Sequence, residues 1–255
     1  MDSVRKTYWT NMKIKGFVTV RTSSTRLPNK CLLQLGEENI LSSVILRSIK
    51  YNIEPIVCTS LDHNDDVIEE ISHKLKVKCF RGSLENKLKR WSDCAEYYNI
   101  KEFHTIDADD PFFDGNEMIF SMKKLIDEGL DIVLPTTSSS NGGASVGYSI
   151  RSKILVEALK DTDDSTDTEM IWDHLKKIKS LKYKTLEETK IRPDKLRLTL
   201  DFKEDYLLLR AVKNILGDNL SREHIDKLFI NNPDLHKINW FRNKEWKQNQ
   251  KSNSS

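Results

Sequence analysis

Short β-rich runs alternate with stretches of helical periodicity through the first half of the chain. Ile14 to Val20 is followed by Ile40 to Lys50, Pro55 to Thr59 by Asp65 to Leu75, Val77 to Phe80 by Leu84 to Tyr98, and Phe103 to Ile106 by Asn116 to Glu128. A helix between two strands of one sheet is a crossover, and a crossover brings the second strand back parallel to the first. The alternation therefore predicts repeated βαβ units and an α/β fold with a mostly parallel central sheet. Asp62 and Ser83 are suited to cap the second and third helices, and Gly129 to end the fourth. After Ile132 to Thr136 the regularity breaks.

With 255 residues, 38% apolar and 31% charged, the chain suits a single enzyme-sized domain, expected over residues 13–240 with 1–12 and 241–255 as flexible termini. A net charge of +2 singles out no polyanion, so nucleic acid is not an expected partner. No apolar run approaches the length of a membrane span, and Met1 to Lys6 lacks the apolar core of a signal peptide, which makes the cytoplasm the expected compartment. Cys31, Cys58, Cys79 and Cys94 form no Cys-x-x-Cys pair and are read as reduced and structural.

The first strand leads into Val20-Arg21-Thr22-Ser23-Ser24-Thr25-Arg26-Leu27-Pro28-Asn29-Lys30. A strand turning toward a helix presents unpaired backbone N–H groups, and three cations with four hydroxyls beside them make a site for a polyphosphate. A basic turn is often only solvated surface. Here Leu27-Pro28 stiffens the backbone, and Arg21, Arg26 and Lys30 are spaced to converge. Neither Gly-x-x-x-x-Gly-Lys-Ser/Thr nor Gly-x-Gly-x-x-Gly follows the strand, which disfavours a P-loop nucleoside triphosphatase and a dinucleotide-dependent dehydrogenase.

Two further segments carry chemistry. Thr105 to Asp114 ends the fourth predicted strand and holds Asp107, Asp109, Asp110 and Asp114, hard oxygen donors that suit Mg²⁺ or, alternatively, turn and cap positions. Leu196-Arg197-Leu198-Thr199-Leu200-Asp201 reads as a strand ending in an acid, followed by an amphipathic helix from about Glu204 to Ile215; Asp201 is either a helix cap or a ligand.

These segments together resemble the cytidylyltransferases of CMP-sugar synthesis, specifically their spore coat polysaccharide biosynthesis type, related to the CMP-KDO and CMP-sialic acid synthetases. In that family the first strand runs into Ala-Arg-x-x-Ser-Thr-Arg-Leu-Pro-Gly-Lys; here Ser23 and Asn29 stand where glycines are common. The family's Thr-Gly-Asp-Cys-Pro-Leu-Ile-Asp corresponds to Asp107 through Asp114, with Ala108 for glycine and Asp110 for cysteine. Leu-Arg-Leu-Thr-Val-Asp followed by Glu-Asp matches Leu196 to Asp201 and Glu204-Asp205, and Phe-Arg-Gly-Ser with Val-Leu-x-Arg-Tyr resembles Phe80 to Ser83 and Leu88 to Trp91, with Asn86 where an aspartate is usual. The resemblance runs from about Lys13 to Asn239 and is poor between Ser138 and Lys190.

The resemblance implies a Rossmann-like three-layer nucleotide-diphospho-sugar transferase fold and transfer of CMP from CTP to an anionic sugar-like acceptor, with pyrophosphate released, for surface polysaccharide. It implies nucleotide binding by Val20, Arg21, Thr22, Ser23, Ser24, Thr25, Arg26 and Lys30, with Arg81, Arg90 and Asp107, and Mg²⁺ on Asp109 and Asp201. Arg21, Arg26, Lys30 and Asp109 are then the catalytic groups, screening an anionic acceptor as it approaches the α-phosphorus. A homodimer is the common assembly among relatives. Two rivals stay open: a metal-dependent glycosyltransferase using Asp107-Ala108-Asp109, and a catalytically inactive nucleotide-binding relative.

The remaining segments carry weaker signals. Thr136 to Ser145 is either a flexible connector or a substrate loop over the strand ends. Asp161 to Asp167 lacks the glycine and distal glutamate of a calcium loop and reads as solvated, leading into a helix around Met170 to Ile178. His174 reads as an ordinary helix residue, and Tyr148, Met170 and Trp172 as core. The lysine-rich segment after Trp240 is expected to fray.

Overall fold

The computed structural model describes residues 13–217 and 220–252. Its central sheet is built from β1 (Ile14–Thr19), β4 (Ile53–Ser60), β5 (Lys78–Gly82), β6 (Glu102–Asp107), β7 (Ile132–Leu134), β8 (Ser149–Arg151) and β9 (Tyr183–Thr185), in the order β5-β4-β1-β6-β8-β7-β9. A two-stranded ribbon, β2 (Gln34–Leu35) and β3 (Glu38–Asn39), stands apart. β1 pairs in parallel with β4 and β6, and β4 with β5; β8 runs antiparallel between β6 and β7. The mostly parallel sheet expected from the alternation is therefore present.

Side-chain alternation explains why the central residues of β1 and β4 are buried on both faces. Phe17 and Ile56 face one layer, packed with Leu88 and Trp91; Val18 and Val57 face the other, with Val44 and Met118. Strands covered on both faces read as continuous apolar runs. The first layer contains α3 (Lys87–Tyr97), α5 (Lys153–Ala158) and α6 (Ile171–Leu175); the second contains α1 (Ile40–Lys50), α2 (Asp66–Lys74) and α4 (Gly115–Asp127). Asn39, Asn86 and Asp114 cap α1, α3 and α4 by accepting backbone N–H groups. Ser83 instead accepts from the Asn86 N–H, and Asp62 caps a short 3₁₀ turn ahead of α2, so neither cap expected from sequence falls on the helix itself.

A third apolar cluster joins Leu196, Leu198 and Leu200 to α7 (Lys203–Leu216) and α8 (Arg222–Asn231). Residues 196–200 are extended but are not a sheet strand as the sequence suggested. Their ties are isolated: Leu198 N donates to Gly142 O and Leu200 N to Asp109 O, both at 2.8 Å. The segment expected to be a flexible tail after residue 240 instead contains α9 (Arg242–Ser252), with Asn243 and Trp246 buried.

Candidate active site

The carboxyl ends of β1 and β6 open onto a cleft of about 600 Å³. Of the residues expected to bind nucleotide, Val20, Arg21, Ser23 to Arg26, Lys30 and Asp107 line it, together with Asp109 and Asp201. Thr22 does not. Its N–H and hydroxyl both donate to Asp65 Oδ1, at 2.8 and 2.7 Å, while Thr59 and Ser60 donate to the other oxygen. Burial alone would raise the Asp65 pKa, but these hydrogen bonds outweigh it and hold the carboxyl below its ordinary value. Asp65 thus anchors the start of the loop. Thr22 O in turn accepts from Ser24 and Asn29, and Asn29 sits at φ 54°, a left-handed conformation asparagine tolerates better than most residues. That explains how Asn29 serves at a position where glycine is common.

Arg26 and Lys30 converge as expected. Lys30 Nζ lies 2.7 Å from Asp109 Oδ2, 3.0 Å from Asp201 Oδ1 and 2.8 Å from Leu200 O, and Arg26 Nη2 lies 2.7 Å from the same Asp201 oxygen. Burial works against the Lys30 charge, yet Asp109 and Asp201 raise its pKa above the ordinary lysine value. Asp201 is held low because Lys30 and Arg26 overcome its burial; Asp109, with burial as its largest influence, is raised. Asp110 is pushed well above the carboxylate range by burial and by neighbouring Asp109 and Asp107, and its Oδ1 is buried without a hydrogen-bond partner.

The position of Asp201 depends on Arg197. The Arg197 guanidinium is fully buried and grips both oxygens of Asp205, at 2.8 and 2.9 Å, while Asp205 accepts the N–H groups of Asp201 and Phe202. Arg197 also reaches Asp201 Oδ2 at 3.4 Å and lies over the Trp246 ring. The arginine in the strand-like segment and the acid four residues after Asp201 are therefore one buried ion pair that fixes a second carboxylate, Asp201.

Arg21 departs from the expected convergence. Its Nη1 donates to Leu84 O at 2.6 Å, and its other contacts are Glu85 and Glu169. Arg81 and Arg90 lie outside this cleft. Arg81 binds Asp66, Glu69 and the carbonyls of Ser60 and Asp62; Arg90 is buried and donates to Ser83 O and Leu84 O, bracing the turn that receives Arg21. Asp107 and Asp109 meet different cations, Asp107 Oδ1 lying 3.2 Å from Lys87 Nζ and Asp109 Oδ2 2.7 Å from Lys30 Nζ.

Several cleft residues escaped the sequence reading. Lys87, Trp91 and Glu169 line it, and so do Tyr148, Met170 and Trp172, which were expected in the core. Lys87 carried a signal: it shares a helix face with Trp91 and Cys94, an otherwise apolar stripe. The Thr136–Ser145 loop lies beside the strand ends, where Ser139, Ser140, Gly142 and Ala144 form a wall of the cleft. Ser139 holds it, donating to Val146 O and accepting from Ser145 N and Val146 N.

Among the described residues no group of three or more histidine, cysteine or acidic side chains is gathered as a metal cage. Asp109 and Asp201 nevertheless face one point, shared by Lys30 Nζ, with the orphaned Asp110 Oδ1 on the same cleft. Hard oxygen donors in that arrangement, one of them unpartnered, fit Mg²⁺, which uses few protein ligands.

Residues 16–128 match the family described as Cytidylyltransferase. The spore coat polysaccharide biosynthesis protein SpsF of Bacillus subtilis is 27% identical over 233 residues, covering 85% of this chain and 94% of that protein. A cytidylyltransferase structure from Leptospira borgpetersenii superposes with TM-score 0.77 at 23% identity, covering 88% of this chain and 97% of the other. A CMP:2-keto-3-deoxy-manno-octonic acid synthetase bound to CTP superposes with TM-score 0.62 at 14% identity, covering 80% and 99%. The two structural likenesses establish the nucleotide-diphospho-sugar transferase fold. The family that the motifs resemble is the one that residues 16–128 match.

Proposed function

We propose that the protein transfers CMP from CTP to an anionic sugar or similar acceptor, releasing pyrophosphate, as a step in making surface polysaccharide or glycoconjugate. The observation that carries this reading is the meeting of Arg26 and Lys30, from the loop after β1, with Asp109 after β6 and Asp201 before α7. Arg26 and Lys30 exchange their carboxylate partners for β- and γ-phosphate oxygens and neutralise the charge that gathers on the leaving pyrophosphate. Ser23, Ser24 and Thr25 supply small donors along the same wall. Asp109 and Asp201, with Asp110 beside them, would hold Mg²⁺, which supplies charge to screen the acceptor oxygen from the α-phosphate. Direct displacement at phosphorus needs no covalent nucleophile.

Thermal stabilisation by CTP, UTP, ATP and GTP, with and without Mg²⁺, tests the nucleotide half, because a ligand that binds only the folded state raises apparent stability. The expected result is a Mg²⁺-dependent shift selective for CTP. Pyrophosphate release with CTP, Mg²⁺ and a panel of keto-acid, phosphate and phosphonate acceptors tests the transfer. Absence of both CTP binding and pyrophosphate release overturns the proposal.

A further inference from the structure

Lys87, Asp107 and Glu169 come from three separate segments, the first turn of α3, the end of β6 and the loop before α6, and meet inside the cleft. Lys87 Nζ lies 3.2 Å from Asp107 Oδ1 and 3.1 Å from Glu169 Oε1, and sits 5.2 Å from the centre of the Trp91 ring. The cation is buried, its side chain 7% exposed, whereas the Asp107 and Glu169 side chains are 42% and 45% exposed. Asp107 precedes Asp109 by two residues, at the end of β6, with Ala108 and Asp109 in the turn that follows. Tyr148 and Trp172 flank it as cleft walls.

Charge decides what such a cluster can take. A second anion would meet two carboxylates whose exposed edges face the cleft, and a cation would meet an ammonium already seated between them. Lys87 and the nearer groups hold Glu169 ionised: its carboxyl is lowered chiefly by Lys87, with Arg21 contributing. A hydroxyl suits both kinds of group, since it donates to a carboxylate and accepts from an ammonium. Two adjacent hydroxyls match two carboxylates flanking one donor.

We infer that Lys87, Asp107 and Glu169 form a subsite that recognises a vicinal diol and so sets which substrates the reaction accepts. The inference rests on the transferase reading above. The diol has two sources within that reading, the ribose of the nucleotide and a polyhydroxylated acceptor.

The test compares wild type, Asp107→Asn and Glu169→Gln, both shape-conserving changes at half-exposed side chains, with circular dichroism to verify the fold. Binding is read by stabilisation with CTP, 2′-deoxy-CTP and 2′,3′-dideoxy-CTP, and turnover by pyrophosphate release with hydroxylated and deoxygenated acceptors. If ribose is the source, wild type prefers CTP to the deoxy analogues by about tenfold and Asp107→Asn erases the preference, as expected for one hydrogen bond to a charged group. If the acceptor is the source, the three nucleotides bind alike, and the variants raise KM about tenfold for the hydroxylated acceptor relative to the deoxygenated one. CTP binding with neither preference altered in either variant overturns the subsite and leaves the transferase reading standing. No stabilisation of wild type by CTP overturns both.

Discussion

The Arg26–Asp201 pair and the Lys87 cluster, at the two ends of the cleft, bury opposite partners. At the loop end Asp201 is buried, its side chain 6% exposed, and the Arg26 cation at 35% is the exposed partner; at the α3 end Lys87 is buried and its two acids face the cleft. The first end can surrender cations to a phosphate chain, whereas the second presents oxygens and retains its cation. On the readings proposed above, the first end takes the phosphates and the second the hydroxyls, a division that follows which partner the Arg26–Asp201 and Lys87 ion pairs bury.

Disrupting the support beneath the first end is expected to have the largest effect. Arg197→Met leaves Asp205 buried without its partner and should cost about 3–5 kcal/mol in urea denaturation. The equivalent urea measurement on Glu169→Gln, which leaves buried Lys87 with Asp107 as its carboxylate partner, should show a smaller cost of about 1.5–3 kcal/mol, that of one hydrogen bond to a charged group. Next, Lys30→Met or Asp201→Asn should lower the rate of pyrophosphate release on the order of 10²-fold, as for other electrostatic stabilisers. A smaller loss would place the critical charge elsewhere and weaken the distinction between the ends.

The sheet behind the cleft carries a pH dependence. Buried His104 receives the Gly147 N–H on Nε2 and meets Ser149 through Nδ1, and burial pushes its pKa from 6.5 down to about 3. The unfolded chain therefore takes up a proton that the folded chain refuses. Stability from this group is complete above the unfolded value and falls as pH drops toward the folded one, by about 2 kcal/mol between about pH 6.5 and 5. Denaturation series across that window should show a steeper slope for wild type than for His104→Gln; equal slopes would exclude the histidine. The smallest effect is expected at Arg81, outside the cleft: Arg81→Ala should cost about 1 kcal/mol of stability and leave CTP-induced stabilisation unchanged.

Much of this arrangement was legible in the sequence, and the failures have physical causes. α1 spans Ile40–Lys50 as its periodicity predicts, and the strands of the parallel core announce themselves because both faces are buried. Leu196, Leu198 and Leu200 alternate like a strand, but alternation reports burial and not a hydrogen-bonded neighbour, so the segment could be extended without joining the sheet. Arg21, Arg81 and Arg90 show the limit of motif reading: sequence places the backbone, while long side chains turn toward whichever acids and carbonyls the tertiary structure provides. Glu169 follows an acidic stretch that looks solvated, and nothing in its spacing separates it from the aspartates before it. α9 is strongly polar, and only the burial of Trp246 and Asn243 distinguishes it from the frayed end that composition suggests.

The packing around Arg197 also sets an order of events. Asn239 donates to Arg197 O and to Asp205 Oδ1, Asn243 meets the guanidinium, and Trp246 stacks above it. On a ribosome the phosphate loop and Asp109 emerge early, but the clamp that aims Asp201 lacks its outer half until residues beyond 239 have left the exit tunnel. A nascent chain stalled before that point would display every recognisable motif without the contacts that Asn239, Asn243 and Trp246 make around Arg197 and Asp205.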